Sequence, residues 1–260
     1  MHASAFSELV APPARGRVFV QSARPGLADC APSGRIRLDG LARWLQDVAY
    51  ADVEDAGLAD SAVWVVRRTR LLVRRFPRFA EHFNVGTFCS GLGRMWAERR
   101  TTIHADPRSS APEPAVEAVS LWVHLDPASG RPAPFAAAEL AAYGDGAAGR
   151  RISARLRHPA PASTADARPW RFRATECDIA GHVNNAAYFQ PLEEELLERA
   201  EQPSRLDVEI EYRTPAQPGE KLILGDGAWR WIASAGGETH ASLAVRGLDG
   251  PAPCVTFRCD

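Results

Sequence analysis

At 260 residues, 45% hydrophobic and 24% charged, the chain has the composition of an ordinary globular protein, with room for one large domain or two of average size. Its formal net charge of -1 supplies no field that would draw it to nucleic acid or an anionic membrane surface, and no uncharged apolar run is long enough to span a bilayer. The five cysteines are odd in number and lack C-x-x-C spacing, which argues against a disulfide framework or a zinc site. The opening residues lack a basic stretch followed by an apolar core, so a cytoplasmic location is expected.

In chain order, Arg17–Gln21 reads as a strand and is followed by the turn Asp29-Cys30-Ala31-Pro32-Ser33-Gly34-Arg35. Leu38, Leu41, Leu45, Val48 and Ala49 then recur at helical spacing, with Gly57 as a stop. Strands are expected at Trp64–Val73, Asn84–Ser90, Met95–Ala105 and Val116–Leu125, separated by turn pairs such as Ser90-Gly91 and Asp126-Pro127. Residues 136–167, rich in Ala, Gly, Pro and Arg, read as a helix fragment plus linker.

The series then repeats. Trp170–Arg173 leads to Glu176-Cys177-Asp178-Ile179-Ala180-Gly181-His182, which shares the pattern acid-Cys-x-x-small-Gly-basic with the earlier turn. Tyr188, Leu192 and Leu196 mark a second helix, capped by Asn184 or Asn185, with Pro191 inside it and a kink expected there. Strands follow at Leu206–Tyr212, Lys221–Leu224, Ala228–Ile232, Thr239–Val245 and Cys254–Arg258. Strand, helix and a run of antiparallel strands, twice over, describe an α+β chain of two similar layers, each a curled sheet wrapped around its helix. Joining the two layers would cover an open edge of each, making an intramolecular pseudo-dimer.

The second turn carries the chemistry. Asp178 can act as a general base on water or attack a carbonyl directly, and His182 can orient it or hydrogen-bond the substrate. Backbone N–H groups at Asn184 and Asn185 begin a helix and lack intrahelical acceptors, so they can hold a developing oxyanion. A plainer role for Asp178 is a turn aspartate that caps its own backbone, and for Asn184 an ordinary N-cap. Cys177 adjoins Asp178 and points the other way in extended chain, which disfavours a Cys–His nucleophile. No G-x-S-x-G elbow, P-loop, dinucleotide fingerprint or metal motif is present, and no cofactor is expected. In the first turn Ala31 stands at the place of Asp178 and Arg35 at the place of His182, so one catalytic centre per chain follows.

These segments resemble the acyl-acyl carrier protein thioesterases, a family built as a tandem pair of hotdog domains. The resemblance rests on Arg37–Asp47, Trp64–Thr69 and Cys89–Arg100 in the first half, and on Asp178-x-x-x-His182-Val183-Asn184-Asn185-x-x-Tyr188 in the second. It implies two domains, at 1–148 and 168–260 with a linker at 149–167, and hydrolysis of a fatty acyl thioester on acyl carrier protein or coenzyme A. It also implies catalysis by Asp178 and His182 in the second domain. Ala180 stands where the plant members have an asparagine, and Pro215 where they have a glutamate. The Asp-x-Ala-Gly turn is also similar to that of the single-hotdog 4-hydroxybenzoyl-CoA thioesterases, where a lone aspartate carries the reaction. The first helix, through Leu41, Leu45 and Val48, is then expected to line an acyl tunnel. The run Arg67, Arg68, Arg70, Arg74, Arg75 and Arg78 offers a landing surface for an acidic carrier. A hotdog hydratase or dehydratase, or a silent acyl-thioester-binding protein, is the alternative. A homodimer is left open.

Overall fold

Alternating apolar and polar residues lay down ten strands, which the computed structural model describes over residues 6–105, 113–199 and 201–247. The first half runs β1 (Phe19–Ala23), a 3-10 turn at Leu27–Asp29, α1 (Leu38–Asp55), β2 (Val63–Val73), β3 (Phe83–Leu92), β4 (Trp96–Ala105) and β5 (Val116–Leu125). After the short helix α2 (Ala137–Tyr143) the series returns as β6 (Asp166–Phe172) and a 3-10 turn at Ala174–Glu176. A helix then begins in 3-10 form over Asn185–Phe189 and continues as α3 (Gln190–Leu197). It is followed by β7 (Leu206–Tyr212), β8 (Gly219–Asp226), β9 (Trp229–Ala233) and β10 (Thr239–Gly247).

All ten strands form one sheet in the order β1-β3-β4-β5-β2-β7-β10-β9-β8-β6. Read inward from either edge, the order is the first, third, fourth, fifth and second strand of that half. The halves are therefore related by a pseudo-two-fold axis at the seam, where β2 and β7 pair antiparallel with Arg68 opposite Glu211 and Arg70 opposite Glu209. One continuous core fills the space between sheet and helices. Ile36, Leu41 and Val48 from around α1 pack in it with Phe189, Leu192 and Leu196 from the second helix.

The central strand β7 is buried along its whole length. Leu206, Val208, Ile210 and Tyr212 belong to that core, so the strand's two-residue period points Asp207, Glu209 and Glu211 to the opposite face. There the three acids are matched. Arg70 and Arg246 pair with Asp207, Arg68 with Glu211, the Ser7 N–H donates to Glu209 at 2.6 Å, and the Arg157 and His158 N–H groups donate to Glu211. The stretch 149–167, expected as a linker, thus packs over the outer face of the seam. Within it Ile152 and Pro159 accept the indole N–H groups of Trp96 and Trp231, and β6 starts before its end, at Asp166.

Pro191 does not kink a running α-helix. It falls in the first turn of α3, just after the 3-10 segment, where a missing N–H costs little. The strand expected at Cys254–Arg258 lies outside the described residues.

Candidate active site

The internal repeat is reproduced bond for bond around the two turns. The 3-10 turns end in backbone bonds from Asp29 to Gly26 and from Glu176 to Arg173, and the bridge Cys30–Ile36 matches Cys177–Val183. Ala31 N–H donates to Arg35 O, as Asp178 N–H does to His182 O. Arg37 N–H donates to Asp29 O, as Asn184 N–H does to Glu176 O, at 2.8 Å in both. Each hairpin turns on a glycine in the left-handed region, Gly34 at φ 81° and Gly181 at φ 75°, a backbone conformation that a side chain resists.

In the second copy the turn presents Asp178 to solvent at the edge of a cavity of about 560 Å³. Its Oδ1 accepts the Ala180 N–H at 2.9 Å, and its Oδ2 accepts Asn184 Nδ2 at 3.1 Å. The same Asn184 caps the helix, its Oδ1 accepting the Ala186 N–H at 2.8 Å. Capping of the turn and presentation of the carboxylate therefore coexist. Asn185 follows as the first helical residue, and neither its backbone N–H nor its side-chain amide has a partner among the described residues. Its carbonyl is held by the Tyr212 hydroxyl at 3.0 Å. Tyr188 packs beneath, its oxygen accepting the Ala216 N–H at 2.7 Å. Burial, with the Asp178 charge adding to it, pushes its phenol up to about 12, so it stays a neutral support.

His182 is half-buried beside the turn, and its ring makes no hydrogen bond to Asp178 or to any other described residue. The expected acid–imidazole pair is thus not formed. Asp178 has closed on its own turn and on Asn184, and His182 contributes its carbonyl. Ala180 lines the cavity edge, and Pro215 is exposed on the loop whose Ala216 carbonyl accepts the Val183 N–H.

The cavity lies in the first half. Gln46, Ala49, Tyr50 and Val53 of α1 form one wall, Trp64 and Val66 of β2 with Trp122 of β5 another, and Leu140 and Tyr143 of α2 a third. Leu41 and Val48, expected to line an acyl tunnel, face the core instead and are fully buried; Leu45 borders only a small adjoining hollow. Sequence pattern finds the most apolar stripe of a helix, and that stripe is the core. The cavity takes the neighbouring one, at the i, i+3, i+4, i+7 positions from Gln46, whose small Ala49 leaves room and whose exposed Tyr50 was the readable sign. Charged groups in the wall are matched by neighbours. Glu98 pairs with Arg150 and Ser90, Arg99 with Asp52, and Glu139 with His124 and Ser61. Cys89 lines the cavity, but burial raises its thiol to about 11 and leaves it inert.

The arginine run is not a free cationic surface. Arg68, Arg70, Arg74 and Arg75 pair with Glu211, Asp207, Glu117 and Glu81, while Arg67 and Arg78 donate to the carbonyls of Arg213 and Ser33. The acids that meet Arg68, Arg70 and Arg74 come from β7 and β5, a match invisible in one segment of sequence, while Glu81 comes from the loop just beyond Arg75. Among the described residues, His158, Glu209 and Glu211 have metal-ligand spacing. They lie behind the seam with Arg68 and Arg157 beside them, which makes the group an ion-pair network rather than a cation site.

An exposed carboxylate and an unbonded helix-entry amide thus share the edge of a cavity walled mostly by apolar side chains. The sequence agrees with the structure. The acyl-ACP thioesterase N-terminal domain matches residues 22–143 and the C-terminal domain of the same family matches residues 160–243. The chain belongs to the acyl-ACP thioesterase family and is a thioester hydrolase. An uncharacterised protein of Mycobacterium tuberculosis is 25% identical over 92% of this chain and 96% of its own length. Among solved structures, an acyl-ACP thioesterase from Bacteroides thetaiotaomicron superposes with a TM-score of 0.69 at 17% identity, over 88% of this chain and 96% of that one. The 12:0-ACP thioesterase from Umbellularia californica does so with a TM-score of 0.68 at 18% identity, over 90% and 98%.

Proposed function

We propose that this fatty acyl thioester hydrolase works as two fused hotdog units, the first holding the acyl chain and the second supplying the reactive turn. The first unit runs to α2 and the second from β6 onward. The acyl chain enters the cavity against α1, and its carbonyl stops at the rim between Asp178 and Asn185. Asp178 takes a proton from water as the water oxygen attacks the carbonyl carbon, while the Asn185 N–H holds the developing oxyanion. Collapse of the tetrahedral intermediate breaks the C–S bond, and the thiolate leaves with the proton carried by Asp178. Acid–base assistance of this kind is typically worth about 10² to 10⁴ in rate.

The observation that carries this reading is the first copy of the turn. There the equivalent amide, that of Leu38, donates to the Glu193 carboxylate at 3.0 Å. The same backbone arrangement in this chain thus already binds an oxyanion. Asp178 is absent from that copy, where Ala31 takes its place, and a carboxylate fills the mouth. His182 stays beside the turn as a secondary group whose loss lowers the rate less than the loss of Asp178. The exposed apolar residues Tyr50, Val63, Leu140 and Ile179 at the cavity's edge offer a landing for the pantetheine arm of the carrier.

A thiol-release assay over acyl chains of increasing length, on coenzyme A and on acyl carrier protein, tests this. Free acid and thiol in equal amounts are expected, with the carrier protein form preferred. An enoyl or 3-hydroxyacyl thioester product, or tight binding without turnover, would overturn it.

A further inference from the structure

We propose that Gln46 is a catalytic residue, its side-chain amide donating to the thioester carbonyl oxygen alongside the Asn185 N–H. This rests on the reading of Asp178 and Asn185 as the reactive site and adds to it a group from the other half of the chain.

The pseudo-two-fold axis sets each helix against the start of the other. Glu193 of the second helix reaches the start of α1, where Oε2 accepts the Leu38 N–H at 3.0 Å and Oε1 lies 2.8 Å from the Arg35 guanidinium. Gln46 stands as far beyond Leu38 as Glu193 stands beyond Asn185, and it borders both the cavity and the adjoining hollow together with Asn185. Gln46 is therefore the counterpart of Glu193 at the reactive turn.

The two counterparts differ in charge, and the difference fits their roles. A carboxylate at position 46 would accept the Asn185 N–H, as Glu193 accepts that of Leu38, and would fill the oxyanion position while repelling Asp178. A neutral amide does neither. It leaves the backbone donor open and adds a donor of its own. Gln46 is half-buried, has no hydrogen-bond partner among the described residues, and interrupts an otherwise apolar α1 wall of Ala49, Tyr50 and Val53. The half-buried amide thus faces the cavity with its hydrogen-bonding capacity free for a ligand.

The test measures steady-state hydrolysis of dodecanoyl-CoA and dodecanoyl-ACP by Gln46→Leu and Gln46→Glu, with Asp178→Asn in parallel. Loss of one oxyanion donor should lower kcat of Gln46→Leu by about 10² to 10³ with KM little changed. Gln46→Glu should be active only in a narrow acidic window, above the pH at which Asp178 is protonated and below that at which the new carboxyl ionises, and should fall toward neutral pH where wild type does not. A merely structural side chain would not add that basic limb to the pH profile. Gln46→Leu within about threefold of wild type, or Gln46→Glu with the wild-type profile, overturns the role of Gln46 when Asp178→Asn is inactive. An Asp178→Asn protein that keeps wild-type turnover instead removes the site reading, and the Gln46 role with it.

Discussion

Asn184 joins stability to chemistry, and two substitutions separate the two. Its side chain caps the second helix through the Ala186 N–H at 2.8 Å and holds Asp178 Oδ2 at 3.1 Å. Asn184→Ala removes both bonds. The cap is worth about 1 kcal/mol, and the exposed bond to the carboxylate adds up to about 1 kcal/mol more. For a chain of this size that lowers Tm by roughly 3 to 6 °C. About 1.4 kcal/mol less orientation of the base lowers kcat about tenfold. Asn184→Asp keeps a capping oxygen but loses the bond to Asp178 and sets a like charge against it, so Tm falls by roughly 3 to 5 °C at neutral pH and less in acid, where the pair holds a proton. It places a second carboxylate 3.1 Å from Asp178, a repulsion of about 1.3 kcal/mol even in bulk water. The pair then titrates with its upper pKa raised by about one unit, and the acid limb of kcat/KM moves to higher pH. Thermal melts and pH–rate profiles of the three proteins read out both effects. An acid limb in Asn184→Asp that coincides with the wild-type limb would refute the reasoning, because the titrating base would not then be the neighbour of Asn184.

Glu193→Ala strands the buried Arg35 guanidinium and should cost about 3 to 5 kcal/mol in chemical denaturation, whereas a double replacement of Arg35 and Glu193 by leucine should recover most of it. Failure of the double variant to recover would show that the pair does more than balance charge. Ala49→Phe should fill part of the cavity and shift acyl preference to shorter chains. Each excluded methylene forfeits about 0.8 kcal/mol, or roughly fourfold in kcat/KM, and an unchanged length profile would place the acyl chain elsewhere. Glu195 is pushed up by burial, but the Arg230 guanidinium at 2.9 Å, with Arg199 and Arg168 nearby, holds it below the ordinary value of 4.5. That pairing stabilises the fold above about pH 4.5 and is lost as pH falls through the lowered value. The Tm gap between wild type and Glu195→Gln should therefore close in acid, and a gap that widens would reverse the sign of the coupling.

The repeat was legible because it is written in turn chemistry. Acid, cysteine and glycine at matched spacing fix the same hairpin in both halves, and the structure returns the same bonds at Gly34 and Gly181. Strand positions were legible from alternation, with ends off by a residue or two where packing extends the ladder, as in β8, and by four at the start of β6. Two features were hidden because they depend on partners distant in sequence, and a third was misread from its near neighbours. Which stripe of α1 faces the cavity depends on where the 178–185 turn arrives, so Leu41 and Val48 read as lining and proved to be core. The arginines of β2 read as a cationic surface because the acids of β7 lie far along the chain. Asp178 and His182 read as a pair from the turn and the family resemblance, yet the carboxylate is drawn to Ala180 and Asn184, as the plainer reading of a turn aspartate has it.

The most direct measurement is single-turnover hydrolysis of an acyl thioester by Asp178→Asn, followed by thiol release and by free acid, with Tm recorded on the same sample. The account predicts a Tm within about 4 °C of wild type and a rate at least about 100-fold below it. A rate near wild type from a folded Asp178→Asn protein would contradict it.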